Sequence, residues 1–137
     1  MDKYTANFMI IDDDPINNLI CTKVIEMTCP GTTVYSFTDT REALSLLISD
    51  YLERGSKLLT VFLDINMPLM NGWEVLDRIN EYSDQMKSQM KIYVLSSSIY
   101  HDDKDRSSRE PLIADFISKP LTQSILREIV VAEQMLL

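Results

Sequence analysis

The chain has little of several residue types that would point to particular classes of protein. Of its 137 residues, two are cysteine, three are glycine, one is histidine and one is tryptophan. No apolar run approaches the roughly 20 residues that a membrane span needs, and the N-terminus lacks the basic and apolar segments of a signal peptide. Basic residues are also in deficit, because the net charge is −8, which argues against a nucleic-acid-binding surface. We therefore expect a single cytoplasmic domain over residues 1–137, with no nucleic-acid partner and no membrane partner.

The scarcity of cysteine also bears on the redox state of the protein. Cys21 and Cys29 fall in or beside one predicted helix. A helical rise of about 1.5 Å per residue would separate them by roughly 12 Å, which is too far for a disulfide. We expect two free, structural thiols.

What the sequence does contain is a set of five short apolar runs that alternate with helical patterns. The runs cover residues 8–11, 33–37, 58–63, 92–95 and 113–117. Such alternation is typical of a parallel sheet whose strands are joined by crossover helices. The second run is short and alternates in polarity, so we place it near an edge of the sheet. The sequence therefore predicts a single α/β domain.

The segments between these runs predict the helices. The first helix extends from Pro15 to about Thr28, with Asp14 as its cap. Its apolar stripe is predicted to comprise Ile16, Leu19, Ile20, Val24 and Met27. Further helices begin at Asp39 or Thr40, after Gly72 and at about Gln123. Residues 99–110 have the weakest helical face, so a short and marginal helix is expected there.

The stretch of residues 58–72 organises the rest of the chain. Its apolar run fits a strand that is buried on both faces and that ends at Asp64. The following Met67-Pro68 and Asn71-Gly72 pairs prevent the strand from continuing. The carboxyl end of such a strand is where open α/β sheets bind their ligands, although an isolated aspartate there can simply cap the turn.

Polar side chains stand at the carboxyl ends of four of the five predicted strands. They are Asp12 and Asp13 after the first, Asp64 after the third, Ser96 after the fourth and Lys119 after the fifth. Each has a plainer interpretation when taken alone, as a helix cap, a turn hydroxyl or a surface lysine. Parallel strands bring their carboxyl ends to one edge of the sheet, so together these residues predict a shared cleft.

The chemistry of this set points to a phosphoryl group and a metal ion. Crowded carboxylates need a compensating cation, and Mg²⁺ (or Mn²⁺) prefers carboxylate oxygens while leaving positions for a phosphoryl group. Lys119 would neutralise the phosphoryl oxygens, and Ser96 could donate a hydrogen bond to one of them. Asp64 could then act as the nucleophile, because carboxylates form acyl phosphates. The sole histidine, His101, lies in the polar residues 99–110 and is assigned no role.

These motifs resemble those of a response-regulator receiver domain from two-component signalling. The resemblance spans essentially the whole chain, and the segments that carry it are Ile10-Ile11-Asp12-Asp13-Asp14-Pro15, Leu63-Asp64-Ile65-Asn66-Met67-Pro68, Asn71-Gly72, Val94-Leu95-Ser96-Ser97 and Phe116-Ile117-Ser118-Lys119-Pro120. It implies a doubly wound, flavodoxin-like sheet of five parallel strands in the order 2-1-3-4-5 with helices on both faces. It also implies a stand-alone receiver domain with no effector domain.

The resemblance implies a role for each residue of the predicted cleft. Asp64 resembles the phosphoacceptor, Lys119 the lysine that pairs with the phosphate, Ser96 the switch hydroxyl and Phe116 the switch aromatic. For the metal ion, the implied ligands are Asp13 directly, Asp12 mainly through water, Asp64, and the backbone carbonyl of Asn66. Three positions depart from the usual pattern, namely serine in place of threonine at Ser96, the larger Ser97 after it, and a longer segment at residues 49–57.

The resemblance further implies the partners of the protein. A sensor histidine kinase or a histidine phosphotransfer protein would donate the phosphoryl group, and autodephosphorylation would be slow, unlike the turnover of an enzyme. A separate downstream protein would then bind the surface formed by the fourth helix, fifth strand and fifth helix, or the phosphate would pass on in a relay. Two rivals remain open, a phosphorylation-independent interaction module of the same fold and an aspartate-nucleophile phosphatase. The phosphatase requires a second aspartate where Asn66 stands.

Overall fold

The sheet of the protein consists of five parallel strands. The computed structural model describes residues 6–52, 58–67, 71–82, 84–88, 90–96, 105 and 109–132. The strands are β1 (Ala6–Ile11), β2 (Val34–Phe37), β3 (Leu58–Asp64), β4 (Met90–Ser96) and β5 (Ile113–Ser118). Their order across the sheet is β2-β1-β3-β4-β5, and every neighbouring pair is parallel. The predicted fold class, the strand order and the edge position of the second strand are confirmed.

The helices connect these strands. They are α1 (Pro15–Thr28), α2 (Thr40–Leu46), α3 (Gly72–Ile79), the single turn α4 (Asp84–Lys87) and α5 (Gln123–Ala132). A π-helical segment, Leu47–Leu52, continues α2. Among the described residues, none of the helices combines the length and the apolar character that crossing a membrane requires. The predicted marginal helix at residues 99–110, including His101, falls largely outside the described residues.

Three helices begin at residues that satisfy their free backbone N–H groups. The side chain of Asp14 accepts a hydrogen bond from the backbone of Ile16, and Asp39 and Asn71 cap α2 and α3 in the same way. A cap of this kind contributes about 1 kcal/mol. Asp14 directly follows the aspartates at the end of β1, and Asn71 stands seven residues after the end of β3, so these caps fix where α1 and α3 begin.

Two apolar cores lie on opposite faces of the sheet, as a doubly wound fold requires. One contains Val61 and Leu63 of β3 together with side chains of α2 and α3. The other contains Phe62 of β3 together with side chains of α1 and α5. Both cysteines are buried in this second core as free thiols, and burial raises the pKa of each to about 11. The prediction of free thiols is therefore confirmed.

The buried face of α1 is not the one that the sequence pattern predicts. The expected apolar stripe is largely exposed, with exposed fractions of 68% for Ile16, 59% for Leu19, 42% for Ile20 and 69% for Met27. The residues that α1 buries are instead Asn17, Asn18, Cys21 and Ile25. Val24 of the predicted stripe is partly buried and packs against the second core. The other four positions were predicted wrongly because the two asparagine amides bond to groups at the ends of β1 and β2, which turns those apolar residues outward.

Gly72 allows α3 to approach the segment that follows β3. A Cβ atom at this position would lie 2.7 Å from the Cα of Ile65 and 2.9 Å from the carbonyl oxygen of Asp64. Real Cβ atoms do not come so close, so only glycine fits without a shift of the backbone. The backbone N–H of Gly72 donates to the carbonyl of Ile65 over 3.2 Å, and this contact holds the start of α3 against the cleft.

Candidate functional site

The three predicted carboxylates meet at the carboxyl end of the sheet. Asp12 and Asp13 follow β1, and Asp64 is the last residue of β3. One carboxylate oxygen from each lies within 4.8 Å of the others. Asp12 and Asp64 are buried, whereas Asp13 is exposed at the mouth of the cleft. The cleft therefore concentrates negative charge at a site that is partly shielded from solvent.

Lys119 bridges the two buried carboxylates. Its Nζ lies 2.8 Å from Oδ2 of Asp12 and 3.4 Å from Oδ2 of Asp64. Its backbone N–H donates to the carbonyl of Ser96 over 2.9 Å, and its peptide bond to Pro120 is cis. The ammonium is thus held between β1 and β3, although the lysine follows the outer strand β5.

The electrostatics of the cleft reflect this crowding. Burial raises the pKa of the Asp64 carboxyl to about 6, and the charge of Asp12 acts in the same direction. The backbone N–H of Asn66, which donates to Oδ1 of Asp64 over 2.9 Å, and the Lys119 ammonium oppose that rise. Burial works against the charge of Lys119, but its bonds to the two carboxylates outweigh burial and raise its pKa. The arrangement favours a charged lysine beside a carboxylate that a further cation would stabilise.

Ser96 and Asn66 meet on the other side of Asp64. Ser96 is fully buried, and its Oγ accepts a hydrogen bond from Nδ2 of Asn66 over 3.4 Å. Phe116 is half-buried and packs against the same core that contains Val94, its partner in the register between β4 and β5. Alternation along β4 places Val94 and Ser96 on one face of the sheet. Phe116 and Ser96 therefore lie on the same face, offset by two residues along neighbouring strands.

The residues around the three carboxylates fit a hard divalent cation. Such ions prefer oxygen ligands, and the cleft offers an exposed carboxylate beside two buried ones. Within the described part of the chain, the Asp13 side chain makes no hydrogen bond or ion pair, so its oxygens are available as ligands. Both oxygens of Asp12 already accept hydrogen bonds. This difference suits direct ligation by Asp13 and a more indirect contribution from Asp12.

Two residues around the cleft were missed in the sequence. Nδ2 of Asn17 donates to Oδ2 of Asp12 over 2.7 Å, and Nδ2 of Asn18 donates to the backbone carbonyls of Asp12 and Phe37 over 3.0 and 3.3 Å. A usable signal was present, because Asn17 stands one and two helical turns before Cys21 and Ile25. That spacing places an amide on the buried face, close to the aspartates.

Comparison with known proteins gives this geometry a family context. A sequence profile of the response regulator receiver domain matches residues 8–131. The crystal structure of a two-component response regulator from Cytophaga hutchinsonii is similar, with 29% identity, a TM-score of 0.84, and coverage of 95% of this chain and 97% of that one. A response regulator receiver protein from Dyadobacter fermentans, at 22% identity, shares the fold with a TM-score of 0.82 over 93% of this chain and 96% of that one.

The chain is also similar to part of a much longer curated protein. Hybrid signal transduction histidine kinase L of Dictyostelium discoideum is 26% identical to it over 129 residues, which is 93% of this chain and 7% of that kinase. The likeness is therefore to one small segment of the kinase. With the profile match over most of the chain and the strand order found here, the sequence belongs to the response regulator receiver domain family.

Proposed function

We propose that the protein is a phosphoacceptor of two-component signalling and that Asp64 carries the phosphoryl group. The observation that supports this most directly is the position of Asp64, which ends the central strand within reach of one ammonium group and two further carboxylates. The sensor histidine kinase or histidine phosphotransfer protein expected from the sequence would be the donor. Membership of the receiver family makes that class of donor the natural one.

In the proposed reaction, an oxygen of Asp64 attacks phosphorus as the bond from phosphorus to the donor histidine breaks. The imidazole leaves with the electron pair of that bond, and an acyl phosphate forms on Asp64. Lys119 turns from the carboxylates to the phosphoryl oxygens, whose negative charge it offsets. Ser96 donates its hydroxyl hydrogen to one of those oxygens.

Asp12, Asp13, Asp64 and the backbone carbonyl of Asn66 would hold the metal ion. When bound, Mg²⁺ supplies positive charge that lets the acids and the phosphoryl group approach one another. Asp64 must be ionised to attack. Since burial raises its pKa to about 6, neighbouring positive charge increases the fraction in that form near neutral pH.

The proposal is tested by incubating the protein with acetyl phosphate and Mg²⁺. We expect a covalent phosphate that hydroxylamine releases, because acyl phosphates react with that nucleophile. Mass spectrometry detects the adduct, and its decay after removal of the donor gives its lifetime. A phosphorylation-independent module would show no adduct, and an aspartate-nucleophile phosphatase would release phosphate continuously. Asn66 cannot serve as the acid of such a phosphatase because the N–H of an amide is far too weak an acid to give up its proton at neutral pH.

The exposed apolar face of α1 is suited to receive the donor protein. This face, formed by Ile16, Leu19, Ile20 and Met27, starts next to the acidic cleft, because α1 begins two residues after Asp13. A groove of about 270 Å³ beside it is lined by Pro15, Asn18, Leu19, Thr22, Ser36 and Thr38. Clustered exposed apolar residues mark protein contacts. A donor that delivers phosphate to Asp64 would cover the near end of this face.

Leu19→Lys should slow transfer from a protein donor by about tenfold or more, the effect of losing roughly 1.4 kcal/mol of binding free energy. The rate with acetyl phosphate should stay unchanged, because that small donor does not touch α1. Both rates are measured by adduct formation, with a phosphorylated histidine phosphotransfer protein that labels the wild-type chain. Met27→Lys is the matched control, since it lies roughly 12 Å further along the helix and should cost less. Equal losses with both donors would indicate general damage and contradict the docking role.

We further propose that phosphorylation changes the surface through Ser96 and Phe116. A phosphoryl group on Asp64 would draw the Ser96 hydroxyl away from the Asn66 amide, and the half-buried Phe116 ring could turn inward into the space released. Burying an aromatic ring contributes up to a few kcal/mol, enough to shift a balanced two-state equilibrium. The altered surface, comprising residues 99–110, β5 and α5, would bind the downstream partner.

Amide chemical shifts measured with Mg²⁺ and beryllofluoride, a mimic of the phosphoryl group, should test this switch. We expect changes at Phe116 and within residues 99–110 in addition to those at the cleft, because the ring movement spreads along β5. Changes confined to the residues that line the cleft would favour the alternative, a relay protein that passes phosphate on with little change of surface. A Ser96→Ala variant should lose the distant changes while keeping those near Asp64.

A further inference from the structure

The amide of Asn17 occupies a position on α1 where packing alone would favour an apolar side chain. Asn17 is buried, and its Nδ2 donates to Oδ2 of Asp12 over 2.7 Å, with a longer contact of 3.7 Å to Sγ of Cys21. Burying an amide is unfavourable unless its hydrogen bonds are made inside the protein. The side chain is therefore placed for what it contacts, and the short contact is to a carboxylate of the acidic cleft.

The carboxylate of Asp12 is held by three donors of different kinds. Oδ1 accepts the backbone N–H of Asp14 over 2.9 Å, while Oδ2 accepts both the Asn17 amide and the Lys119 ammonium, the latter over 2.8 Å. Lys119 also contacts Asp64. In the proposed reaction its ammonium group pairs with the phosphoryl oxygens, so it must give up its bond to Asp12. Once Lys119 turns to a phosphoryl group, the neutral amide of Asn17 is the donor that remains on Oδ2 of Asp12 among the described residues.

We infer that Asn17 is a positioning residue that keeps the Asp12 carboxylate aimed at the metal ion after Lys119 has left it. This inference rests on the proposed phosphoacceptor function. A neutral donor suits the task, because it orients the carboxylate without cancelling the charge that the cation needs. A lysine or arginine in its place would compete with the cation, and an apolar residue would leave Oδ2 free to rotate away.

Groups that orient metal-associated carboxylates have measurable effects on metal affinity. We expect Asn17→Leu, which keeps the approximate volume and removes the donor, to weaken Mg²⁺ binding by about tenfold, measured by isothermal titration calorimetry on the whole chain. The rate of phosphorylation by acetyl phosphate at saturating Mg²⁺ should remain below that of the wild type, because Asp12 is no longer held during the reaction.

Asn18→Ala is the comparison variant. Asn18 is the adjacent buried asparagine, and it bonds to the backbone carbonyl of Asp12 and not to the carboxylate. Asn18→Ala should lower the free energy of unfolding about as much as Asn17→Leu does. It should change the affinity for Mg²⁺ less than Asn17→Leu does. Equal Mg²⁺ affinities in the two variants would overturn the positioning role and leave only a structural one.

A measurement on the wild-type protein avoids dependence on variants that fail to fold. The side-chain NH₂ resonances of Asn17 should shift on addition of Mg²⁺ and stay distinct from bulk asparagine signals after beryllofluoride is added. Resonances that do not respond to either addition would refute the inference. If the wild-type protein neither binds Mg²⁺ nor takes up phosphate, the proposed function itself fails. If it binds Mg²⁺ and is labelled normally while the Asn17 resonances do not shift, only the positioning role of Asn17 is refuted.

Discussion

Replacement of Asp64 by asparagine should abolish covalent labelling by acetyl phosphate and by a protein donor alike. The asparagine side chain has the same shape, and its amide oxygen can still accept the hydrogen bond from the backbone N–H of Asn66. An amide, however, is too poor a nucleophile to attack phosphorus. Adduct formation is followed by mass spectrometry. Asp77→Asn, on the exposed side of α3, is the matched control and should label normally. Undiminished labelling of Asp64→Asn would show that another residue accepts the phosphate.

We expect Asp64→Asn to be at least as stable as the wild type, so that a loss of labelling reports the missing nucleophile and not unfolding. The folded-state pKa of Asp64, about 6, is above the ordinary value of 3.8, so its ionisation at pH 7 lowers the free energy of unfolding. This destabilisation by the buried charge is absent below about pH 4 and fully present above about pH 6. Urea unfolding in a metal chelator should therefore show Asp64→Asn to be more stable than the wild type at pH 7. That advantage should shrink as the pH falls towards 4.

Removal of divalent metal should reduce phosphorylation to background with either donor. The expectation follows from the three carboxylates within 4.8 Å of one another, which a single ammonium group offsets among the residues that the structure describes. Excess chelator should stop adduct formation, and added Mg²⁺ should restore it. Normal phosphorylation in chelator would contradict the proposed metal site.

The two neighbouring aspartates should differ in their contribution to metal binding. Asp13→Asn should weaken Mg²⁺ binding by about tenfold or more, and by a larger factor than Asp12→Asn. The physical reason is that Asp13 is exposed and makes no hydrogen bond within the described residues, whereas Asp12 already accepts three. Calorimetric titration of both variants tests the order. A larger loss in Asp12→Asn would reverse the roles assigned to the two carboxylates.

Much of the fold and the grouping of the cleft residues could be predicted from the sequence. Buried strands read as short apolar runs, and Asp64, Ser96 and Lys119 each follow one of them. Parallel pairing then brings such residues to one edge regardless of the details of packing. The order of the strands required the family resemblance, because an alternation of strands and helices does not by itself define which strand is central.

The orientation of α1 was predicted wrongly from apolar periodicity, and the cause is local. Counting apolar residues selects Ile16, Leu19 and Met27 for the buried face, and this choice ignores the hydrogen bonds that nearby groups require. The structure buries Asn17 and Asn18 because Asp12 and the end of β2 offer acceptors to their amides. Where a helix starts beside a charged cleft, satisfying polar groups can outweigh apolar periodicity.

The strands that carry the cleft residues, β3 and β5, should differ in how readily they separate from the sheet. β3 pairs with strands on both sides and is covered on both faces, so its amides should be among the slowest to exchange with deuterated solvent. β5 is one of the two edge strands, and several of its residues are exposed. We therefore expect Asp64 to be anchored in a segment that opens mainly with the whole protein, and Lys119 to follow a strand that detaches in smaller fluctuations. Transient fraying of that edge would release the ammonium from the acids and leave the phosphoacceptor in place.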